Sequence, residues 1–390
     1  MSGWWRRGSR VIWEREAVVF GRWEMALMRL LFALVMFDAG SKLVEWARAD
    51  AGSFNARWGQ VEVIPPVSSF VAQPKPHGLA VVLEKVSLDL AFLGDPSMAG
   101  MVYVGFLVAL GCYVIGVVLP VALGVMFFSL LLHGTFHNSQ GSIHHHLQLI
   151  TCVVGIQWLA SLVAVCRRGG ARTWLALDEP SENRLVNWTQ QVIVAAYVVS
   201  ALSKLIISKG GWIWDAPWFG IQLAKAVDQD YYDHLRPGTE TPAWLPDWLL
   251  ENPWQARGLF GPALPLEFFA FLALRNRAMG ALYAMALIGF HLTVSSLMSL
   301  DFRYNVQMML VYFVNGPFWL WWWAAGRRRR GGAAAYSRER CAPARRVFFG
   351  FEMREVVGDF METPSWGSAF PGGGRPEILY FEAGFTRNRP

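Results

Sequence analysis

Eight apolar runs near bilayer length dominate this chain and leave few folds open to it. They cover about 24–46, 98–118, 120–138, 144–166, 187–208, 262–276, 278–299 and 304–325. In hydrocarbon every backbone N–H and C=O must find a partner within the chain, so such runs form helices. The expected fold class is therefore an all-α polytopic membrane protein. It has about eight transmembrane helices, with Trp-rich outer loops that are re-entrant or amphipathic. Composition agrees. Of 390 residues, 54% are hydrophobic and 16% are charged, against roughly 25% charged in soluble domains.

Arginine clusters orient the spans through the excess of Lys and Arg in cytoplasmic loops. Arg6, Arg7, Arg10, Arg15 and Arg22 precede the first span, and Arg167, Arg168 and Arg172 follow the fourth. Arg275 and Arg277 separate the sixth from the seventh, and Arg327 to Arg330 follow the eighth. A path that starts inside puts all four clusters in the cytoplasm, together with both termini. Residues 1–22 are rich in Trp and Arg and lack the short apolar core of a cleaved signal, so the first span reads as a retained anchor. The expected organisation is a basic cytoplasmic segment 1–23, a transmembrane domain 24–326 and a poorly ordered cytoplasmic tail 327–390.

Two long segments, 47–97 and 209–261, then fall outside. The second carries Trp212, Trp214, Trp218, Trp244, Trp248 and Trp254, residues that favour the membrane interface. The arginines at helix ends account for the +6 charge without a nucleic-acid partner; membrane lipids are the expected surroundings. Cys112, Cys152, Cys166 and Cys341 are scattered and show no metal-ligand spacing, so they read as small buried side chains.

Against this apolar background the exceptions stand out. Lys204 lies inside the fifth span, sixteen residues past Trp188 and ~24 Å along the helix axis. A cation at membrane depth is expensive and is a functional candidate by default. Out of water an amine favours its neutral form, in which it can act as a base. The bland alternative is a lysine that snorkels to the headgroups. His144, His145 and His146 open the fourth span, and His291 lies two-thirds along the seventh, followed by Ser295. Asp301, Arg303 and Asn305 open the eighth. The topology sends all of these toward the outer half. Histidine can shuttle protons or orient a substrate oxygen. Any one of them can equally be an interface residue or a hydrogen-bond link to a neighbouring helix.

His133 and His137 have i, i+4 spacing and could share a metal or a haem. Consecutive helical residues point about 100° apart, so the His144–His146 run cannot converge on one ion. No further box exists, and no metal is expected.

Four segments resemble vitamin K-dependent gamma-carboxylase and its bacterial relatives in the HTTM (horizontally transferred transmembrane) group. Tyr197-Val-Val-Ser-Ala-Leu-Ser-Lys-Leu205 is similar to the segment ending in the family's catalytic lysine and a leucine. Phe290-His-Leu-Thr-Val-Ser-Ser-Leu-Met-Ser-Leu-Asp-Phe-Arg-Tyr-Asn305 resembles its Phe-His-Leu segment. Glu24-Met-Ala-Leu-Met-Arg29 is similar to its first span, and Ser142-Ile-His-His-His-Leu147 falls where it carries Asn-His. The resemblance covers roughly 20–325.

What the resemblance implies is quinol chemistry. Lys204 would deprotonate a reduced quinone (vitamin K hydroquinone or menaquinol), whose anion reacts with oxygen. The strong base so formed lets carbon dioxide add to a glutamate of a peptide or protein substrate. His144 would orient the oxyanion, with His145 or His146 as alternatives for that role; His291 would support the base. His145, His146, Ser295 and Asn305 would contact the cofactor. The sequence departs from the animal carboxylase, which carries a large soluble domain after the bundle where about sixty residues follow here, and it has Ile143 where the family has Asn. Two other readings remain: a non-catalytic scaffold or peptide-maturation and export protein, in which Lys204 packs or pairs with Asp301, and quinone-linked electron transfer with a separate redox partner.

Overall fold

The computed structural model describes residues 18–45, 82–83, 85, 90, 93, 96–138, 147–168, 171–234, 244–298 and 300–320. The chain divides into two units, Met1–Ala325 and Gly326–Pro390, and every described residue belongs to the first. Among the described residues the structure is helical, with no strand. His144, His145 and His146 lie outside them, as does the expected tail.

The long helices are α1 (Arg22–Glu45), α2 (Pro96–Ile115), α3 (Leu119–Asn138), α4 (Gln148–Arg168), α6 (Glu179–Ile207) and α11 (Arg277–Met298). A short α5 (Ala171–Leu175) links α4 to α6. Between α6 and α11 come α7 (Phe219–His234), α8 (Leu245–Glu251), α9 (Pro253–Phe260) and α10 (Ala263–Phe268), and α12 (Arg303–Met309) follows α11. Among the described residues six stretches are long and apolar enough to cross a membrane: Ser97–Ile115, Leu119–Phe136, Gln148–Arg168, Glu179–Ile207, Pro253–Leu274 and Arg277–Leu297; the expected first and eighth spans are not among them. By length and composition, the chain is a multi-pass membrane protein. Its helices also show the expected apolar exterior. On α2, Met101, Val104 and Val108 face outward while Phe106, Leu110 and Tyr113 are buried.

Each helix packs along the next, α1 on α2, α2 on α3, α3 on α4 and α4 on α6. The core between them holds Met28, Phe32, Met36, Phe106, Leu123 and Ile150. Phe32 meets Tyr113 and Tyr312 edge-on, with ring centroids 5.9 and 5.7 Å away. α1 approaches α2 so closely that a Cβ on Gly40 would overlap the Phe106 ring. The turn from α2 to α3 needs Gly116 for two reasons. Its φ is +83°, and any Cβ there would strike the Arg29 guanidinium.

Three span boundaries differ from the sequence reading. The fifth starts at Glu179 rather than 187, because Pro180 and the acidic first-turn residues Glu179 and Glu182 start a helix there. The sixth is not one helix. After α10 the chain tightens into a 3₁₀ stretch, Phe269–Leu274, and Pro262 and Pro265 leave this segment short of backbone donors. The helix at the expected eighth span widens into a π turn at Leu310–Val314 and stops at Asn315, whose left-handed φ of 44° ends it.

Contacts sort the polar residues by end. Phe20 and Asn183 exchange backbone–side-chain hydrogen bonds of 2.7 and 3.0 Å. Arg277 pairs with Glu24, which also accepts from Asn315 Nδ2 at 2.5 Å. Arg22 pairs with Glu179 at 3.6 Å, and Arg168 pairs with Asp178. The starts of α1, α6 and α11 and the end of α4 therefore share one arginine-rich end. A turn or more inward, Arg29 pairs with Glu182 at 2.5 Å beside a cavity of about 20 Å³, room for one water. Next to it Tyr113 donates to Gln157 Oε1 at 3.1 Å, and Gln157 Nε2 donates to the Tyr312 hydroxyl at 2.8 Å. Gln190 Nε2 caps the Tyr312 carbonyl at 2.6 Å, satisfying one of the last acceptors of that helix.

Gly40 yields a packing prediction. Gly40→Leu should cost about 1–3 kcal/mol, the usual range for overpacking. Gly40→Ala should cost less, and part of that smaller loss should return in the Gly40→Ala/Phe106→Leu pair, in denaturant titrations of detergent-solubilised protein.

Candidate functional site

The inward face of α6 carries Tyr197, Ser200 and Lys204, spaced three and four residues apart so that they line one stripe. Lys204 sits in the last turn, where a cation complements the partial charge of the helix end. Across from it α10 supplies Glu267. Lys204 Nζ donates to both carboxylate oxygens, at 2.6 and 2.5 Å, and Ser200 Oγ donates to Oε2 at 3.2 Å. The side chains are 22% and 4% exposed, so the pair is largely out of solvent. Trp212 and Phe290 flank the ammonium, their ring centroids 5.2 and 5.9 Å from Nζ. Both contacts are cation–π in character.

A second group adjoins it. The Tyr197 hydroxyl lies 2.7 Å from His291 Nε2, linking α6 to α11, and both residues are buried. Asn305 reaches the same hydroxyl, and the ammonium of Lys204 is near enough to act on the charge of the His291 ring. With Asn305 donating to the phenol oxygen, the phenol proton points at Nε2. The network then assigns the imidazole proton to Nδ1. Nδ1 is buried and has no hydrogen-bond partner among the described residues, and the same holds for Trp212 Nε1 and Ser208 Oγ. Orphaned polar atoms of this kind are costly, about 1–3 kcal/mol each when nothing replaces water.

Beyond His291, the Phe302 ring packs on the imidazole with centroids 4.6 Å apart. Phe302 is also one wall of a cleft of about 530 Å³ that Ser295, Arg303, Val306 and Gln307 help line. Ser295 follows His291 by one turn on α11, so imidazole and cleft share a helix face. Arg303 pairs at the rim with Asp38 and Asp301, each at 3.7 Å.

The structure thus brings together Lys204, His291 and Asn305 of the expected site residues, and sets Ser295 in the adjoining cleft. His144, His145 and His146 fall outside the described residues. Asp301 is not the partner of Lys204; its cation is Arg303. No group of three His, Cys, Asp or Glu side chains suited to a metal occurs among the described residues. The sequence reading missed Glu267. Its signal was present, a lone carboxylate in the apolar run Leu264–Leu274, and the rule that singled out Lys204 applies to it equally. No family model, no curated protein and no solved structure matches the chain.

A buried ion pair predicts an asymmetric response to substitution. Lys204→Met strands the Glu267 carboxylate and should destabilise by about 3–5 kcal/mol. The double variant Lys204→Met/Glu267→Met should recover most of that loss, since an apolar pair of similar volume is often neutral for stability. Thermal melts in one fixed detergent would compare the two.

Proposed function

We propose that the chain is a membrane enzyme of the gamma-carboxylase-like HTTM class, which removes a proton from the hydroxyl of a lipid quinol. The carrying observation is the Lys204–Glu267 pair, a cation and a carboxylate held out of water beside Tyr197 and His291. The pair holds a proton that either partner can carry. When it rests on Glu267, both groups are neutral and Lys204 is a free amine. The quinol O–H then gives its proton to Nζ, the oxygen keeps the electron pair, and an ammonium faces the new anion. Oxyanion formation then sets the new ammonium against an anion, an ion pair the pocket holds out of water. Orphaned His291 Nδ1 and Trp212 Nε1 are the donors available to the oxyanion. The cleft beyond Phe302 has the size of a lipid headgroup site and opens beside the helices that would meet the bilayer.

In this reading the arginine-rich end lies in the cytoplasm of the cell membrane, by the positive-inside rule, and the Lys204 end faces the outer leaflet. The eight-span topology, with the segment 209–261 lying across the outer face, belongs to the same proposal. So do a reduced quinone as cofactor and glutamate carboxylation of a peptide or protein as the coupled reaction.

A second reading has its own observation. Two short bonds from one ammonium to one carboxylate are also a good staple between α6 and the proline-bearing α10. The chain would then be a scaffold or a peptide-maturation and export protein. Quinol turnover separates the two. Full-length protein in nanodiscs, given vitamin K hydroquinone or menaquinol and oxygen, should form epoxide detectable by mass spectrometry. Lys204→Ala should lower the rate about a hundredfold or more, the scale of a general base. Lys204→Arg should fail as well, because a guanidinium does not deprotonate. Absence of epoxide from folded wild-type protein, or activity retained in Lys204→Arg, would favour the staple.

A further inference from the structure

Between α6 and α10 the chain builds a small second core. Ala216, Leu223, Leu245, Leu249, Ala256 and Phe260 are buried in it, and Phe219 stacks on Phe260 with ring centroids 4.7 Å apart. Its outer surface is aromatic rather than polar. Trp214 and Trp254 are 61% and 70% exposed, and Trp218, Trp244 and Trp248 are exposed beside them. Exposed tryptophans on an element tethered at both ends to apolar helices belong at the headgroup level of a bilayer.

Arg257 sits among these rings. Its guanidinium carbon is 5.0 Å from the Trp214 ring centroid and 4.8 Å from that of Trp254. It lies in α9, five residues into the apolar stretch Pro253–Leu274 and so within about one turn of that stretch's end. Arg22, Arg29, Arg168, Arg277 and Arg303 each have a carboxylate partner. Arg257 has none within ion-pair distance among the described residues. One long hydrogen bond, 3.5 Å to the Trp214 carbonyl, uses part of a group with five donors, and Nε is buried without a partner among the described residues. A guanidinium without a counter-ion among the described residues, fixed between indoles at headgroup depth, suits an anion supplied by the membrane.

We propose that Arg257, with Trp214 and Trp254, binds the phosphate of an anionic phospholipid. The planar fork matches two phosphate oxygens, and the indoles hold it at the depth where phosphates lie. The proposal does not depend on the chemistry of the Lys204 pair.

The test uses full-length protein solubilised from vesicles of equal phosphatidylglycerol and phosphatidylcholine, with retained lipid counted by native mass spectrometry. Wild type should retain phosphatidylglycerol over phosphatidylcholine. Arg257→Gln should lose about fivefold of that preference, the weight of one basic residue at a membrane surface. Arg257→Lys should keep part of it as a point charge. Melting temperatures in phosphatidylcholine nanodiscs check that the variants are folded. Excess inorganic phosphate should leave the lipid in place. Equal retention of the two lipids by wild type, an unchanged preference in Arg257→Gln, or displacement by phosphate alone would overturn the proposal.

Discussion

A charge inside a helical bundle has to be met by the bundle itself, and the Lys204–Glu267 pair is where that constraint bears hardest. Neither residue could hold its position alone at the cost of burying an unpaired ion. Their pairing determines how α10 meets α6, although prolines and a 3₁₀ stretch break that segment. It also brings Ser200 to the carboxylate and Trp212 and Phe290 to the ammonium. Tyr197 and His291 then tie α11 to the same face of α6.

The opposite end obeys the same rule with different residues. There Arg277, Glu24 and Asn315 close the contact between α1, α11 and the π turn, while Arg29 and Glu182 join α1 to α6. Between the two ends, Ile193 and Val194 are buried on α6 and separate Gln190 from Tyr197. On α6, two buried apolar residues therefore lie between the arginine-rich polar network and the lysine pair. A chain whose only concern was stability could have filled both clusters with leucine; hydrogen bonds inside membranes average only ~0.6 kcal/mol. That makes the polar groups at Lys204 the place to look for chemistry.

Much of the helical framework was legible from hydropathy alone, because a run such as Met101–Tyr113 admits only one backbone solution in hydrocarbon. The arginine clusters, read only for topology, also mark one physical end of the bundle, where Arg22, Arg168 and Arg277 take their carboxylates. Boundaries were less visible. Glu179-Pro180 starts α6 through a first-turn proline and acidic residues that a hydropathy window discards, and Asn315 ends the last helix through a backbone conformation that hydropathy does not encode. In the site, Lys204 and His291 were legible as polar exceptions. Their partners were not, because pairing is a tertiary fact. Glu267 and Lys204 are 63 residues apart, and nothing local to either announces the other.

The most direct test of the account is quinol oxidation by the Lys204→Met/Glu267→Met variant in nanodiscs, at a temperature where it and wild type are equally folded. If the pair is a proton acceptor as well as a staple, the double variant will be folded and inactive beside an active wild type. A folded double variant that turns over quinol at the wild-type rate would contradict the account, and would leave the ion pair a structural link between α6 and α10.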